Sequence, residues 1–544
     1  MFSLNFENVL EVIRSAHVID LVTGLAVIGA LRVVYLANRK RPGTTRLKGP
    51  SCGFFGAEKV IHESPNPTAV YEAWCKEYGV AYEIPLVLGE RSIVLCDPKA
   101  VAHVFGRDSW SYALTEADKV IIARSIGKSV VWADGEVHQR QRRSLAPAFN
   151  STSIRKLSSV FYDASHKLKL AWEAIIDAED GGSAIIEVQN GLPPTRLDSI
   201  GLAGFLHDFA SLDGKRDPVI SVFDSFGALK HDPFYIRVLL LMKRFPVLFL
   251  IPVSISGLMN ELYKAMEGTS KAFFEQAKRE KDEGPLDGKE GYSIIGMLIK
   301  TVKEESNTPV TKEELIALLM TLVVAAYDPV AASMTWALLE LARHPDTQTR
   351  LREEILSFDG EPTYDQISKD FPYFDAVVHE VLRLHPTGSP DIIRTAKEDD
   401  IIPLSQPVRT KSGEVAHNIC VTRGSFITVP VATVNRLEAL WGADAKQFRP
   451  ERWLETNVAP QARDLQGYRH LVTFGDGPKT CLGRVFAIAE IKTVLWVLVK
   501  NFVFEMRDGP DMEVVKAEGM LPTRPTFVGE DGAKLPLRVK RYDG

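Results

Sequence analysis

The 544-residue sequence has few cysteines and no cysteine pair. Its five cysteines are odd in number and widely spaced, and none forms a Cys-x-x-Cys motif. A zinc ribbon requires such pairs, and a disulfide framework requires a denser and even set of cysteines. The sequence therefore predicts neither and favours a reducing compartment.

The chain also lacks an excess of charge of either sign. It has 65 Lys and Arg against 70 Asp and Glu, a net charge of −5. This balance gives no global field that would attract nucleic acid, so we expect no nucleic-acid partner. The charged fraction of 25% is too high for a multi-pass transporter, and the hydrophobic fraction of 45% is enough for a large core.

One long apolar stretch lies near the N-terminus, at residues 18–37. It is long enough to cross a bilayer as a helix, and the basic residues 39–41 that follow it predict a cytosolic remainder. A cleaved secretory signal is the alternative, but its basic residues would precede the apolar stretch. We predict a short lumenal N-terminus, a transmembrane anchor, a basic Pro/Gly linker and one large cytosolic domain at residues 1–17, 18–37, 38–56 and 57–544.

A second apolar run, Phe234 to Ile255, is interrupted by Lys243, Arg244 and two prolines. A lipid-exposed helix tolerates this pattern poorly, so the run predicts a buried helix–loop–helix. A loop that dips into the membrane surface is the alternative.

Helical periodicity dominates the cytosolic part, with short strand patterns near its start. No break in composition divides it, and no internal repeat is present, so we predict one mostly helical domain with a small β region. Thr311 to Glu314 form a capping box before a long apolar helix. The strands are predicted at Val80–Pro85 and Ser92–Cys96, and the main late helices at Leu315–Ala342, Tyr373–Leu384 and Leu482–Val499.

The most informative segment is Phe474-Gly-Asp-Gly-Pro-Lys-Thr-Cys481-Leu-Gly483-Arg. Its glycines permit a tight turn, and Cys481 directly precedes a predicted helix. A helix N-terminus stabilises a thiolate through its free N–H groups and partial positive charge, which suits an axial ligand of haem iron. A buried structural cysteine is the alternative, but the fixed order of aromatic, glycine, basic and cysteine residues argues against it.

This segment resembles the cytochrome P450 family, whose pattern is Phe-x-x-Gly-x-Arg-x-Cys-x-Gly. The only departure is Lys479, which stands at the arginine position. The resemblance extends from about residue 48 to about residue 522. It implies the mainly α P450 fold with a small β region, here with the N-terminal anchor, and haem b as cofactor. It also implies that Cys481 is the proximal iron ligand in a haem-binding loop that includes Phe474, Gly475 and Gly483.

Two further motifs resemble the structural network of the same family. Glu380-Val-Leu-Arg383 resembles its Glu-x-x-Arg motif, and the segment that contains Arg452 resembles its meander motif. The resemblance implies that these three residues form a buried ion network that stabilises the fold. A solvated surface pair is the alternative for the first two, because charges three residues apart on a helix are commonly exposed.

Several polar residues resemble the family's partners of the haem propionates. They are Arg142, Arg394 and Lys479, since Arg suits carboxylates in particular. The family usually has Trp four residues before the residue matching Arg142, and this chain has His138 there. His138 is either a propionate donor or a neutral, satisfied histidine.

The predicted long helix departs from the family's oxygen-activation motif. The chain reads Ala325-Ala326-Tyr327-Asp328-Pro329-Val330 where the family typically has Ala-Gly-x-(Asp/Glu)-Thr-Thr. The catalytic acid is kept as Asp328, whereas Pro329 and Val330 replace both threonines. Pro329 has no N–H to donate, so we expect a kink and a free carbonyl at Ala325. Ala325, Ala326, Pro329 and Val330 are expected to line the substrate pocket.

The resemblance implies a monooxygenase that receives electrons from an NADPH-dependent flavoprotein reductase. The three basic residues Lys479, Arg484 and Lys492 are expected to form a docking face for an acidic flavin domain. The alternative is that they are only solvated or bound to propionates.

The motif Gly135-Glu-x-His-x-x-Gln-Arg-Arg143 resembles microsomal P450 enzymes of filamentous fungi. It implies the endoplasmic reticulum membrane, secondary metabolism and a lipophilic, terpenoid-like substrate that is hydroxylated. Two alternatives stay open. One is an isomerase or dehydratase that needs no dioxygen, because the helix threonines are lost. The other is a membrane haem protein without catalysis.

Overall fold

A computed structural model describes most of the region after the predicted anchor. The described residues are 43–189, 233–245, 248–249, several residues between 257 and 275, 310–327, 329–455, 460–510, 512–517, 524–530 and 534–543. The predicted anchor at 18–37 and most of the linker lie outside these residues, so both stay predictions.

The described part is mostly helical, as the sequence predicts. Its helices, in chain order, are α1 Gly56–Glu63, α2 Pro67–Tyr78, α3 Pro98–Gly106, α4 Glu116–Ile126, α5 Gly135–Leu145, α6 Ser151–Lys156, α7 Ser158–Asp177, α8 Pro233–Arg244, α9 Lys312–Tyr327, α10 Pro329–Arg343, α11 Pro345–Leu356, α12 Tyr364–Lys369, α13 Pro372–Leu384, α14 Val431–Val434, α15 Glu438–Trp441 and α16 Arg484–Asn501.

The strands form small sheets at the margin of the helical body. They are β1 Ala81–Pro85, β2 Arg91–Leu95, β3 Tyr112–Ala113, β4 Ser183–Glu187, β5 Asp391–Ala396, β6 Asp400–Arg409, β7 Val415–Val421, β8 Phe426–Pro430, β9 Phe502–Met506, β10 Val514–Ala517, β11 Arg524–Phe527 and β12 Pro536–Arg541. The largest sheet has the order β1-β2-β8-β5-β3, in which only β2 and β8 run parallel. The others are β4-β12-β9 and the pairs β6-β7 and β10-β11.

The start of α9 is fixed by the capping box that the sequence predicts. The Thr311 N–H donates to the Glu314 carboxylate at 3.0 Å, and the Glu314 N–H donates to the Thr311 hydroxyl at 3.2 Å. These two bonds satisfy backbone donors that have no partner inside the helix. The predicted helix is therefore confirmed at its N-terminus.

The helices α9 and α10 flank residue 328, which lies outside the described residues. The kink expected at Pro329 therefore stays a prediction. Together, residues 312–343 are long and apolar enough to cross a membrane, but most of this helix is buried inside the protein. A mostly buried apolar helix of this kind is a core helix.

The core centres on α16, which carries the cysteine loop at its N-terminus. Nearly every residue from Phe486 to Val499 is buried, because this helix is surrounded by protein on all sides. It packs against α7 and α11. The observed helix begins two residues after the predicted start, since Gly483 is its N-cap. The rigid position of α16 sets the position of the cysteine that precedes it.

The described part of the second apolar run forms α8. Leu240 is buried in a cluster with Val87 and Leu88, and the guanidinium of Arg244 is buried in ion pairs with Glu58 and Glu90 at 2.9 and 3.2 Å. This packing favours the buried helix predicted for the first half of the run. The residues around 250–256 lie outside the described residues.

Candidate active site around Cys481

The cysteine loop is a tight turn that places Cys481 three residues before the first residue of α16. The Cys481 N–H donates to the Phe474 carbonyl at 2.7 Å and closes the loop. Gly475 and Gly477 have φ of 67° and 64°, a region that favours glycine. A Cβ on Gly477 would lie 2.1 Å from the Phe105 carbonyl oxygen, so this glycine also permits the loop to contact α3.

The Cys481 sulfur lies among groups that stabilise negative charge. Burial raises the pKa of its thiol, while the Gly483 N–H and the charges of Arg142 and Arg484 act in the opposite direction. The predicted helix-terminus effect is therefore present, but burial outweighs it. A buried thiolate then requires a further positive partner, and iron supplies one to a cysteine ligand.

The Cys481 side chain is nevertheless accessible in the polypeptide. The side chain is thus exposed although burial by the surrounding protein raises the pKa of its thiol. This geometry fits a ligand that approaches the sulfur from one side.

Four cationic side chains lie in one cluster with three carboxylates near this sulfur. Lys479 and Lys119 bind Asp134 at 2.9 and 2.8 Å, and Arg394 binds Asp108 at 2.8 Å. Arg142 is half-buried, and no described residue offers it a carboxylate partner; its charge acts on Cys481. Lys119 also lies 4.0 Å from the exposed carboxylate of Glu116, so four cations face three carboxylates and leave a surplus of one positive charge, on Arg142. Haem b carries two propionates, so the chemistry of this cluster fits that group.

His138 lies inside the same cluster and is 4% exposed. Burial and the charges of Lys479 and Arg142 lower the pKa of His138 to about 4. The ring is therefore neutral at pH 7 in the polypeptide. A neutral ring is compatible with both alternatives for His138, a propionate donor and a neutral, satisfied histidine. One ring N–H remains available as a donor.

Two of the residues expected to bind propionates are held by protein carboxylates. Arg394 forms a two-pronged pair with Asp108 and also donates to the Ile393 carbonyl at 3.0 Å. Lys479 donates to Asp134 and to the Ala133 carbonyl, both at 2.9 Å, and so links the cysteine loop to the start of α5. Their direct contact with haem stays a prediction, whereas Arg142 is the member with an uncommitted guanidinium.

The structure brings Glu380, Arg383 and Arg452 together in the core. Arg383 binds both carboxylate oxygens of Glu380 at 2.8 Å, and Arg452 binds the same carboxylate at 3.2 Å. The exposed fractions of these side chains are 0%, 0% and 6%. This network lies away from solvent, so the alternative of a solvated surface pair is wrong.

The predicted pocket residues fall on both sides of residue 328. Ala325 is exposed and Pro329, four residues later on the same helical face, is half-buried, whereas Val330 is buried in the core. Asp328 lies outside the described residues, as does the side chain of Ala326. Their roles in the pocket stay predictions.

The expected basic docking face is wrong for two of its three members. Lys492 is 2% exposed and binds Asp375 at 2.7 Å, and Lys479 is 10% exposed and binds Asp134. Neither ammonium group is available to a partner protein. The error arose because the sequence shows the positive charges near the cysteine but not the carboxylates that bind them.

Sequence reasoning also missed Asp108, Asp134 and Lys119, which complete the charge cluster. Asp134 lies directly before α5, but nothing local distinguishes it from a solvated aspartate. Asp108 and Asp134 are bound by residues from other parts of the chain, such as Asp108 by Arg394 across 286 positions.

Comparison with known proteins identifies the same family that the cysteine loop resembles. A family model described as Cytochrome P450 matches residues 48–528. The chain belongs to the cytochrome P450 family.

Curated relatives of this P450 are fungal and match over most of its length. The chain is similar to cytochrome P450 monooxygenase claQ of Ampulloclitocybe clavipes, with 44% identity over 93% of this chain and 94% of the relative. It is 40% identical to claW of the same fungus, over 98% of this chain and 100% of the relative. Cytochrome P450 monooxygenase 205 of Postia placenta is 32% identical over 90% and 91%. The protein is therefore an oxidoreductase, a P450 monooxygenase with a haem cofactor.

Proposed function

We propose that this P450 hydroxylates a lipophilic, terpenoid-like small molecule in fungal secondary metabolism, with electrons from an NADPH-dependent flavoprotein reductase. We further propose that residues 18–37 anchor it in the endoplasmic reticulum membrane with the catalytic domain, 57–544, in the cytosol. The observation that carries the haem-thiolate chemistry is the Cys481 sulfur beside the Gly483 N–H and a cluster with one surplus positive charge.

When bound, haem supplies the oxidising power, and a thiolate ligand favours cleavage of the O–O bond. The chain's own residues bind and orient it. The Cys481 sulfur would hold the iron and Arg142 would hold a propionate, while the Gly483 N–H donates to the sulfur. Phe474 closes the loop through its carbonyl.

Proton delivery is the step in which this chain departs from its family. Pro329 has no hydroxyl at the position where the family has a threonine. We propose that a carboxylate oxygen of Asp328 transfers the proton, with ordered water or a substrate hydroxyl in the place of the threonine. Ala325, Ala326, Pro329 and Val330 would shape the apolar pocket around the substrate.

The main test is product analysis under isotopically labelled dioxygen. The full chain would be expressed in yeast with and without a reductase and supplied with a panel of terpenoids, and Cys481→Ser would be the inactive control. We expect a product that carries the label and forms only with the reductase. An unlabelled isomer or dehydration product that forms without the reductase would refute the proposal.

The absent hydroxyl is tested by comparing Pro329→Thr with Pro329→Ala. Both variants remove the proline ring, so they differ mainly in the side-chain hydroxyl. If the hydroxyl matters, the Thr variant couples NADPH consumption to product formation better than the Ala variant. Equal coupling would show that the chain delivers protons without it.

A further inference from the structure

Tyr468 lies between the cysteine loop and the core, in a segment that the family motifs do not include. Its ring contacts two residues of the loop region. The Arg484 guanidinium lies over the ring at 4.8 Å from its centroid, and the Phe474 ring meets it edge-on at 6.1 Å. Tyr468 therefore contacts residues on both sides of Cys481 in the sequence.

The hydroxyl group of Tyr468 is fixed by a buried histidine. It lies 3.0 Å from Nε2 of His379, whose Nδ1 lies 2.7 Å from the Asp375 carbonyl. Because a carbonyl only accepts, Nδ1 carries a proton, and it also lies 3.1 Å from the Asp375 carboxylate. The Asp375 carboxylate binds Lys492 at 2.7 Å, and Lys492 lies on α16 with Arg484. This series of contacts begins at Arg484 and ends at Lys492. Both residues lie on α16, the helix that follows Cys481.

The backbone around Tyr468 is held in a strained turn. The next two residues, Arg469 and His470, have φ of 57° and 62°, which is uncommon for residues with a side chain. A Cβ on Gly467 would lie 2.1 Å from the Leu471 carbonyl oxygen, so the turn also requires glycine there. Strained conformations persist where the surrounding structure determines them, and they are frequent at functional sites.

Arg484 is the charge that Tyr468 fixes. It is the first residue of α16, three positions after Cys481. Tyr468 contacts both Arg484 and Phe474. The Phe474 carbonyl accepts from the Cys481 N–H at 2.7 Å, so these contacts hold the guanidinium close to the cysteine. A cation beside an iron ligand favours the reduced metal, because reduction lowers the positive charge of the centre.

We propose that Tyr468 is a positioning residue, which holds the Arg484 guanidinium beside the Cys481 sulfur and thereby raises the reduction potential of the bound haem. The inference rests on Cys481 being the iron ligand. Loss of the ring would release the guanidinium toward solvent, where its field is screened. The ring, more than the hydroxyl, carries this effect.

The experiment compares two tyrosines with similar surroundings. Tyr373 also has a guanidinium over its ring, that of Arg350 at 4.1 Å, and its hydroxyl binds Glu451 at 3.1 Å. The reduction potential of each purified holoprotein is measured by spectroelectrochemical titration. We expect Tyr468→Leu to shift the potential to more negative values. Tyr373→Leu should leave it at the wild-type value, and Tyr468→Phe, which keeps the ring, should lie near wild type.

An equal shift in both leucine variants would overturn the proposal, because it would indicate general loosening. So would an unchanged potential in Tyr468→Leu. A wild-type protein that binds no haem through a thiolate would instead refute the role of Cys481. These failures are therefore distinguishable.

A second set of variants tests whether Tyr468 acts through Arg484. Arg484→Gln should shift the potential in the same direction as Tyr468→Leu, and the double variant should show less than the sum of both shifts. Additive shifts would overturn the proposed route. If Tyr468→Leu retains no haem, the reduction potentials of Arg484→Gln and Arg484→Lys are compared instead, because only the lysine variant keeps a positive charge over the ring. Equal potentials in these two variants would overturn the proposal.

Discussion

Two charge clusters of this P450 are built from the same residue types but differ in balance. The network around Glu380 contains three arginines and three carboxylates: Arg383, Arg449, Arg452, Glu380, Asp444 and Glu455. The cluster near Cys481 contains four cations and three carboxylates: Lys119, Arg142, Arg394, Lys479, Asp108, Glu116 and Asp134. In the first cluster the cations and carboxylates are equal in number, and we call it the closed network. In the second cluster the cations outnumber the carboxylates, and we call it the open cluster.

The closed network also satisfies the hydrogen-bonding groups of Glu380 and Arg383. Glu380 accepts from the Trp453 indole at 2.9 Å and from the Arg449 N–H at 3.0 Å, and Arg383 donates to three carbonyls. A buried charge is tolerated only when it is paired and hydrogen-bonded. A closed cluster therefore stabilises the fold, whereas a cluster with surplus charge binds a ligand of opposite charge. The predictions below test this difference.

The largest effect is expected at the ligand itself. Cys481→Ser should abolish the thiolate spectrum of the ferrous carbonyl complex and all activity, because an alkoxide is not available from serine at neutral pH. Cys420→Ser changes an exposed cysteine on β7 and is the matched control, which should keep both. A Cys481→Ser protein that retains the thiolate spectrum would show that another cysteine binds the iron.

The next largest effect is expected in the closed network. Glu380→Gln leaves Arg383 and Arg452 buried without a counter-charge, so the free energy of unfolding should fall by about 3–5 kcal/mol. The measurement is urea denaturation of the purified protein. Glu455→Gln removes a carboxylate at the exposed edge of the same network and should cost about 0–1 kcal/mol. Similar losses in the two variants would contradict the distinction between the core and the edge of the network.

The open cluster should respond in ligand binding more than in stability. Arg142→Gln removes the arginine without a protein carboxylate, so haem should dissociate more easily, by roughly 10–100-fold in affinity for a charge-assisted bond of about 1.5–3 kcal/mol. Transfer of haem to apomyoglobin measures this loss. Arg143→Gln, at the exposed neighbouring position, is the control and should bind haem as wild type does. Unchanged haem transfer in Arg142→Gln would contradict the proposed role.

The smallest effect is expected in the dependence of stability on pH. Burial raises the pKa of Asp134, but the hydrogen bonds from Lys119 and Lys479 outweigh it, so this pKa lies below its usual value. A carboxyl whose pKa is lower in the folded state stabilises the fold above the unfolded value of about 3.9, and this contribution disappears as the pH falls through the folded pKa. The difference in unfolding midpoint between wild type and Asp134→Asn should therefore be largest above pH 5 and should shrink below about pH 4. A constant difference across this range would contradict the pairing.

Local patterns predicted the elements that depend on neighbouring residues. The capping box at Thr311, the helix observed at Pro372–Leu384 and the strands near residues 81 and 92 follow from turn, cap and periodicity rules that act over a few positions. The cysteine loop was recognised because its glycines and cysteine occur in fixed order. These features need no knowledge of distant contacts.

The charge partners could not be predicted in this way. Lysine is mostly found at the protein surface. Lys492 nevertheless lies in the core, because α16 is surrounded by protein on all sides. The carboxylate of Asp375 on α13 compensates its charge. Tyr468 has no motif, and its contacts with His379 and Arg484 exist only after α13, α16 and the loop pack together.

The sequence by itself determined the family, the mainly helical architecture and the departure at Pro329, and it predicted the iron ligand, because each depends on residue identity and short spacing. Only the tertiary structure decided which charges are closed into a network and which are left in surplus. Charge pairing in the core joins residues far apart in the chain, such as Asp108 and Arg394 or Asp134 and Lys479. Burial makes each such pairing obligatory, because an unpaired charge in a medium of low dielectric constant is too costly.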